Sequence, residues 1–145
     1  MARTLLASTI ALLLCACPEK KAAPTAAAPP APAPVKKAEV EFGGSWARNG
    51  VTAAKVVFVA QVEPCVPVPA KPTRFGEEVM KSEGTLFAEF FIPQGAVGHA
   101  CLYGFDEAGV VVAAASYEKN PVTFQGEGEV VVGPVKLSLV SLPSP

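Results

Sequence analysis

The chain has 145 residues, a formal net charge of −1 and a 50% hydrophobic composition, room for one ordinary domain. The charge is uneven: from Glu39 onward twelve acidic residues oppose seven basic ones, about −5, whereas residues 18–38 hold Lys20, Lys21, Lys36 and Lys37 against Glu19, about +3. An acidic body argues against nucleic acid as a partner, and one His and one Asp leave no obvious catalytic or metal-binding set.

Residues 1–16 have the layout of a signal peptide. Arg3 supplies a positive start, and residues 4–14 form an apolar run of about eleven residues. A bilayer span needs about 20, so the run is a signal core rather than a membrane helix. Leu14-Cys15-Ala16-Cys17 follows and resembles the lipobox of bacterial lipoproteins: Leu at −3, a small residue at −1 and the modified Cys at +1. Cys15 departs from the Ala, Ser or Thr usual at −2. The resemblance implies cleavage before Cys17 and lipidation of that residue by a diacylglyceryl thioether and an N-acyl group. Several acyl chains, at about 0.8 kcal/mol per buried methylene, anchor stably where one does not. The expected address is a bacterial cell envelope, lipid-anchored, with the outer membrane (periplasmic or surface face) ahead of the inner. Ordinary cleavage to a soluble product is the alternative.

Residues 17–38 join the lipidated Cys to a Pro/Ala/Lys-rich linker without aromatics. It lacks the apolar surface needed to offset ordering entropy, and its prolines favour polyproline II. About 21 such residues at roughly 3.1 Å each reach some 65 Å, a spacer between membrane and body. Its lysines fit anionic headgroups or simply solubilise it. A ligand for a proline-recognition domain is a further alternative.

All eleven aromatics lie between Phe42 and Phe124, so the folded domain is 39–145, without cofactor. Short apolar runs broken by Gly, Pro and Asn predict a strand-built sandwich or barrel. Candidate strands are 40–42, 45–48, 54–62, 76–81, 85–92, 97–105, 110–117, 121–125, 129–132 and 135–142, some of which should merge. Asn49-Gly50 signals a hairpin turn, and residues 106–109 a longer turn. In 54–62, Val56, Phe58, Ala60 and Val62 share one face, and the other is only partly polar. Residues 84–105 are expected to be a central hairpin closed at Ile92-Pro93-Gln94-Gly95. Leu86, Ala88, Phe90 and Ile92 share one side of its first strand, while Phe87, Glu89 and Phe91 share the other. The second side is either covered by a loop or chain end, or exposed as an aromatic contact strip.

Residues 44–58, GSWARNGVTAAKVVF, resemble the opening of carboxypeptidase regulatory-like domains. Glu83-Gly84 before Leu86-Phe87, then Ile92-Pro93-Gln94-Gly95, is similar to that family's Asp-Gly-x-Phe and Val-Pro-Pro-Gly. Residues 102–106 and 130–139 resemble its later strands. The resemblance implies a transthyretin-like (prealbumin-like) fold, here an all-β, seven- to eight-stranded Greek-key sandwich, in a class that supports, attaches or binds. The related purine-pathway hydrolases use several His, so their activity is not expected.

Once Cys15 leaves with the leader and Cys17 takes lipid, Cys65 and Cys101 remain. An exported chain with one such pair predicts a disulfide; two buried thiols are the alternative. The loop 63–74, with four Pro, is stiff. It either covers a sandwich end, presents Val66, Val68 and Lys71 to a partner, or blocks a protease. Trp46 and Arg48 share one face, and Trp46 is either a core residue or a platform for a sugar ring. His99 lacks a nearby nucleophile or carboxylate in the sequence. An isopeptide among Lys55, Glu89 and Asn120, as in collagen-adhesin-type relatives, lacks the usual Asn in the last strand. The leading expectation is a non-enzymatic, lipid-anchored structural or protein-interaction module with an envelope protein partner. A glycan or small-ligand binder is the alternative, and a protease-inhibiting loop the second.

Overall fold

The computed structural model describes residues 29–126 and 128–144. The expected signal peptide, the lipobox-like motif and Cys17 lie outside the described residues, as does most of the expected linker. The body beginning at Pro34 is all-β, with no helix among the described residues. Its strands are β1 (Lys37–Ala47), β2 (Lys55–Gln61), β3 (Arg74–Val79), β4 (Gly84–Pro93), β5 (Val97–Phe105), β6 (Val111–Ser116), β7 (Val122–Thr123), β8 (Glu129–Ser138) and β9 (Val140–Ser141). Seven have six residues or more, and β7 and β9 have two each.

They form a sandwich of two sheets. One runs β4-β1-β8; the other runs β3-β2-β5-β6-β9, with β7 beside β5. The expected strands 40–42 and 45–48 are one continuous β1. It starts at Lys37, because Lys37 and Ala38 pair with Pro93 and Ile92 and Ala38 is buried. Strands 129–132 and 135–142 also merge, with β8 running parallel to β1. The register slips where Phe42 faces Val132 but Gly44 faces Val135, a bulge at Gly133 and Pro134 that suits a residue without an N–H. The chain then leaves this sheet, and Val140 and Ser141 pair with Ala114 and Ala113 in the other.

The central hairpin is not formed. β4 pairs with β1 and β5 with β2, so 84–105 is an arch that crosses from one sheet to the other. Its corner is held from outside: Gln94 N donates to Lys36 O and Gly95 N to Phe124 O. Asn49-Gly50 behaves likewise. Both residues have positive φ, 51° and 77°, and Val51 N bonds Arg48 O, as a tight turn requires. Yet the strands on either side lie in different sheets. The turn at 106–109 does close a hairpin, between β5 and β6, with Asp106 Oδ1 accepting from Val110 N.

The core lies between the sheets. Phe42 stands at its centre, with ring centroids 5.2 Å from Phe58, 5.8 Å from Phe90 and 6.0 Å from Phe124. Such tilted and edge-on pairs add to the area they bury. β2 is buried on both faces. Val56, Phe58 and Ala60 join the main core; Val57 and Val59 join a second cluster with Cys65, Cys101, Tyr103 and Ala114.

Candidate functional site

The two outer faces of the sandwich differ. On the six-strand sheet, the second cluster is roofed by the proline-rich loop. Cys65 is bonded to Cys101, with Cα atoms 5.5 Å apart. The loop base is closed by Val62 N to Thr73 O, and Glu63 Oε2 accepts from Thr73 N at 2.8 Å. That bond, the largest influence on Glu63, holds its carboxyl below the usual range. Val68 packs on the cluster. Beneath the loop, buried Gln61 donates from Nε2 to Tyr103 Oη (3.0 Å) and Glu63 O (3.0 Å), and Tyr103 Oη donates to Cys65 O (3.2 Å). Burial raises the Tyr103 phenol above its ordinary 10.0, against the lowering effect of the Gln61 bond. Asn120 clamps the neighbouring strand, accepting from Ala100 N at 2.9 Å and donating to Ala100 O at 3.0 Å. Sequence reasoning missed this Gln61–Tyr103 and Asn120 framework. A lone Gln between Ala60 and Val62 in an apolar run was the available signal.

On the three-strand sheet, nothing described covers the outer face. Phe87 is 54% exposed, Phe91 65% and Val131 65%. The register sets them among carboxylates. Glu39 lies between Phe91 and Glu129; Glu41 lies between Glu89 and Val131; Gly43 pairs with Phe87. Neighbouring strands stand about 4.8 Å apart, so these side chains form one mixed acidic and apolar surface. The Glu41 carboxyl is raised above 4.5, first by partial burial, then by a hydrogen bond with Glu129 and by the charges of Glu129, Glu89 and Glu39. Among the described residues the one salt bridge is Arg74–Glu77, outside this face.

The sequence-derived candidates are dispersed. Trp46 is only 3% exposed and its Nε1 is buried without a partner, so the sugar-stacking platform is corrected to a core tryptophan. Its ring sits on the inner face of β1 because the alternation of Ala38, Val40 and Phe42 continues to it. The Arg48 guanidinium donates to Ala53 O at 2.6 Å, and its backbone N donates to Glu83, so it holds a corner together. Val66 is 54% exposed and Lys71 is exposed, but Val68 faces the cluster. The three therefore do not form one presented patch.

His99 Nδ1 lies 2.9 Å from Val62 O, a contact that ties β5 to the loop. Asp106, seven residues on, is about 23 Å away along the strand at roughly 3.3 Å per residue. Lys55 and Glu89 lie in different sheets, and Asn120 is occupied with Ala100, so the structure does not assemble the isopeptide set. One cleft of about 470 Å³ is open and lined by Lys55, Arg74, Glu77, Phe105, Asp106 and Glu107 among others. Its lining contains no His, Ser, Thr or Cys. Among the described residues no three His, Cys, Asp or Glu side chains are grouped to hold a metal ion.

Compared with known proteins, the chain matches no family model, and no curated protein or solved structure is found similar to it.

Proposed function

We propose that this chain is a lipid-anchored, non-enzymatic interaction module of a bacterial cell envelope, and that the outer face of β4-β1-β8 is its contact surface. One observation carries the reading: Phe87, Phe91 and Val131 are exposed together on one sheet face. Single apolar residues on a surface are ordinary; two phenyl rings and a valine left open on one uncovered sheet face, with carboxylates between them, mark a contact site. The other outer face spends its apolar residues on a disulfide-bonded roof, so the two faces are unlike. The lipobox resemblance supports the address, and the linker supports a body held away from the bilayer. The resemblance to carboxypeptidase regulatory-like domains supports a binding role rather than a catalytic one.

A photo-crosslinking amino acid at position 91 tests this in cells expressing the full chain. The expected result is a discrete protein adduct that disappears on Phe87→Ser and is not formed from position 110, on the other sheet's turn. Equal adducts from positions 91 and 110, or none from 91, would remove this face from the reading.

A further inference from the structure

The proposed contact face also specifies the charge of what it meets. Two like-charged pairs are directly opposed across its ladders, Glu39 with Glu129 and Glu41 with Glu89. Opposed like charges destabilise a sheet, and no salt bridge relieves them among the described residues. The cations nearest in register stand at the ends of the face: Lys37 pairs with Pro93, and Lys136 with Ser45. Between those ends the side chains on the ladder are acidic or apolar, and Lys81 borders Phe87 at the β4 edge. The Glu41 carboxyl is raised first by its partial burial and then by the hydrogen bond with Glu129, with the charges of Glu129, Glu89 and Glu39 adding to both.

Resting on the reading above, we infer that this face binds a partner protein surface of alternating cationic and apolar side chains. Its lysines or arginines meet Glu39, Glu41, Glu89 and Glu129, and its apolar groups cover Phe87, Phe91 and Val131. The alternation follows from the register, which interleaves both kinds of side chain row by row. A second copy docking through the same face would bring eight carboxylates together, and an anionic lipid surface would be repelled, so neither complements it. Charge complementarity of this kind selects partners and raises the rate of encounter.

The test uses the full chain in detergent and three 12-residue peptides. Each alternates Val with one polar residue, which is Lys, Ser or Glu. The Lys peptide is expected to bind at least tenfold more tightly than the Ser peptide, and the Glu peptide least. Glu41→Gln/Glu89→Gln/Glu129→Gln should remove that preference. Glu78→Gln/Glu107→Gln/Glu118→Gln, an equal change of charge off the face, should leave binding within about twofold. Equal losses from both triple variants would assign the effect to overall charge and overturn the inference. If all three peptides bind alike and Phe87→Ser/Phe91→Ser weakens them all, the contact face stands and its cationic partner does not. If Phe87→Ser/Phe91→Ser changes nothing, the contact face itself falls. A dimer of the chain that Phe91→Ser dissociates would make the occupant a second copy and overturn the inference.

Discussion

Gly44 stands so close to Val135 that a Cβ on Gly44 would lie 1.9 Å from the Val135 carbonyl oxygen and 2.7 Å from its N. Backbone atoms cannot move aside as a side-chain tip can. Gly44→Ala should therefore part β1 from β8 just past the bulge, costing about 3 kcal/mol, the upper end of overpacking. Gly43 is the control: its Cβ would meet only Glu41 Oε1 at 3.9 Å. Gly43→Ala should stay within about 0.5 kcal/mol of the parent. Urea midpoints of the two variants check this.

The Cys65–Cys101 bond spans a sequence separation of 36. Closing such a loop in the unfolded chain contributes roughly 4 kcal/mol in the chain-entropy account. Cys65→Ala/Cys101→Ala should lower stability by about that amount and loosen the roof over Val57, Val59 and Tyr103. The intact mass of the parent should rise by two hydrogens on reduction, and amide exchange in residues 63–73 should quicken in the variant.

Phe42 and Phe91 should respond in opposite ways, although both lie in the three-strand sheet. Phe42 is fully buried among three other phenyl rings, and Phe42→Ala should cost about 3–5 kcal/mol. Phe91 points to solvent, and Phe91→Ser should change stability by no more than about 0.5 kcal/mol. Thermal melts of both variants provide the comparison. A large loss for Phe91→Ser would show that its ring is part of the packing.

Acid titration should reveal two carboxyls of opposite sign. Glu41 is raised in the folded chain, so between 4.5 and its folded value the native state binds more protons than the unfolded one. Its contribution therefore falls as pH rises through that window, and Glu41→Gln should raise stability at neutral pH. Glu63 is lowered by the Thr73 N–H. Its contribution is present above 4.5 and is lost as pH falls through its folded value, so Glu63→Gln should flatten the acid limb. Melting temperatures from about pH 3 to about pH 7, which brackets ordinary carboxyl titration, separate the two.

Acylation is tested by partitioning. The full chain should enter the detergent phase, and Cys17→Ser should move it to the aqueous phase. Under the proposed acylation the acyl chains, not the body, supply the membrane affinity. An aqueous parent chain with an unmodified N-terminus would remove the envelope address.

Particular elements show what was legible and what was not. Phe58 could be grouped with Val56 and Ala60, and Phe90 with Leu86 and Ile92, because strict alternation marks the side chains that share a face. The same alternation is silent on whether two successive strands lie side by side or face each other. Leu86, Phe90 and Leu102 make the same apolar pattern in either arrangement, so the expected hairpin at 84–105 and the arch that forms are written alike. Trp46 was ambiguous for a related reason: a tryptophan near a strand end is compatible with a seam, a core or a surface. Its parity with Val40 and Phe42 pointed inward, but only a continuous β1 through Gly43 and Gly44 makes that parity binding.

Composition and alternation were sufficient for the all-strand class, while the Cys65–Cys101 pair was reached through the lipobox resemblance, which set Cys15 and Cys17 aside, and the body begins a little before residue 39, with β1 at Lys37. The three-dimensional arrangement decided which of two equally apolar faces stays open. A stiff loop tethered at Cys101 can roof only the sheet that contains Cys101, and that leaves Phe87, Phe91 and Val131, one sheet away, in contact with solvent.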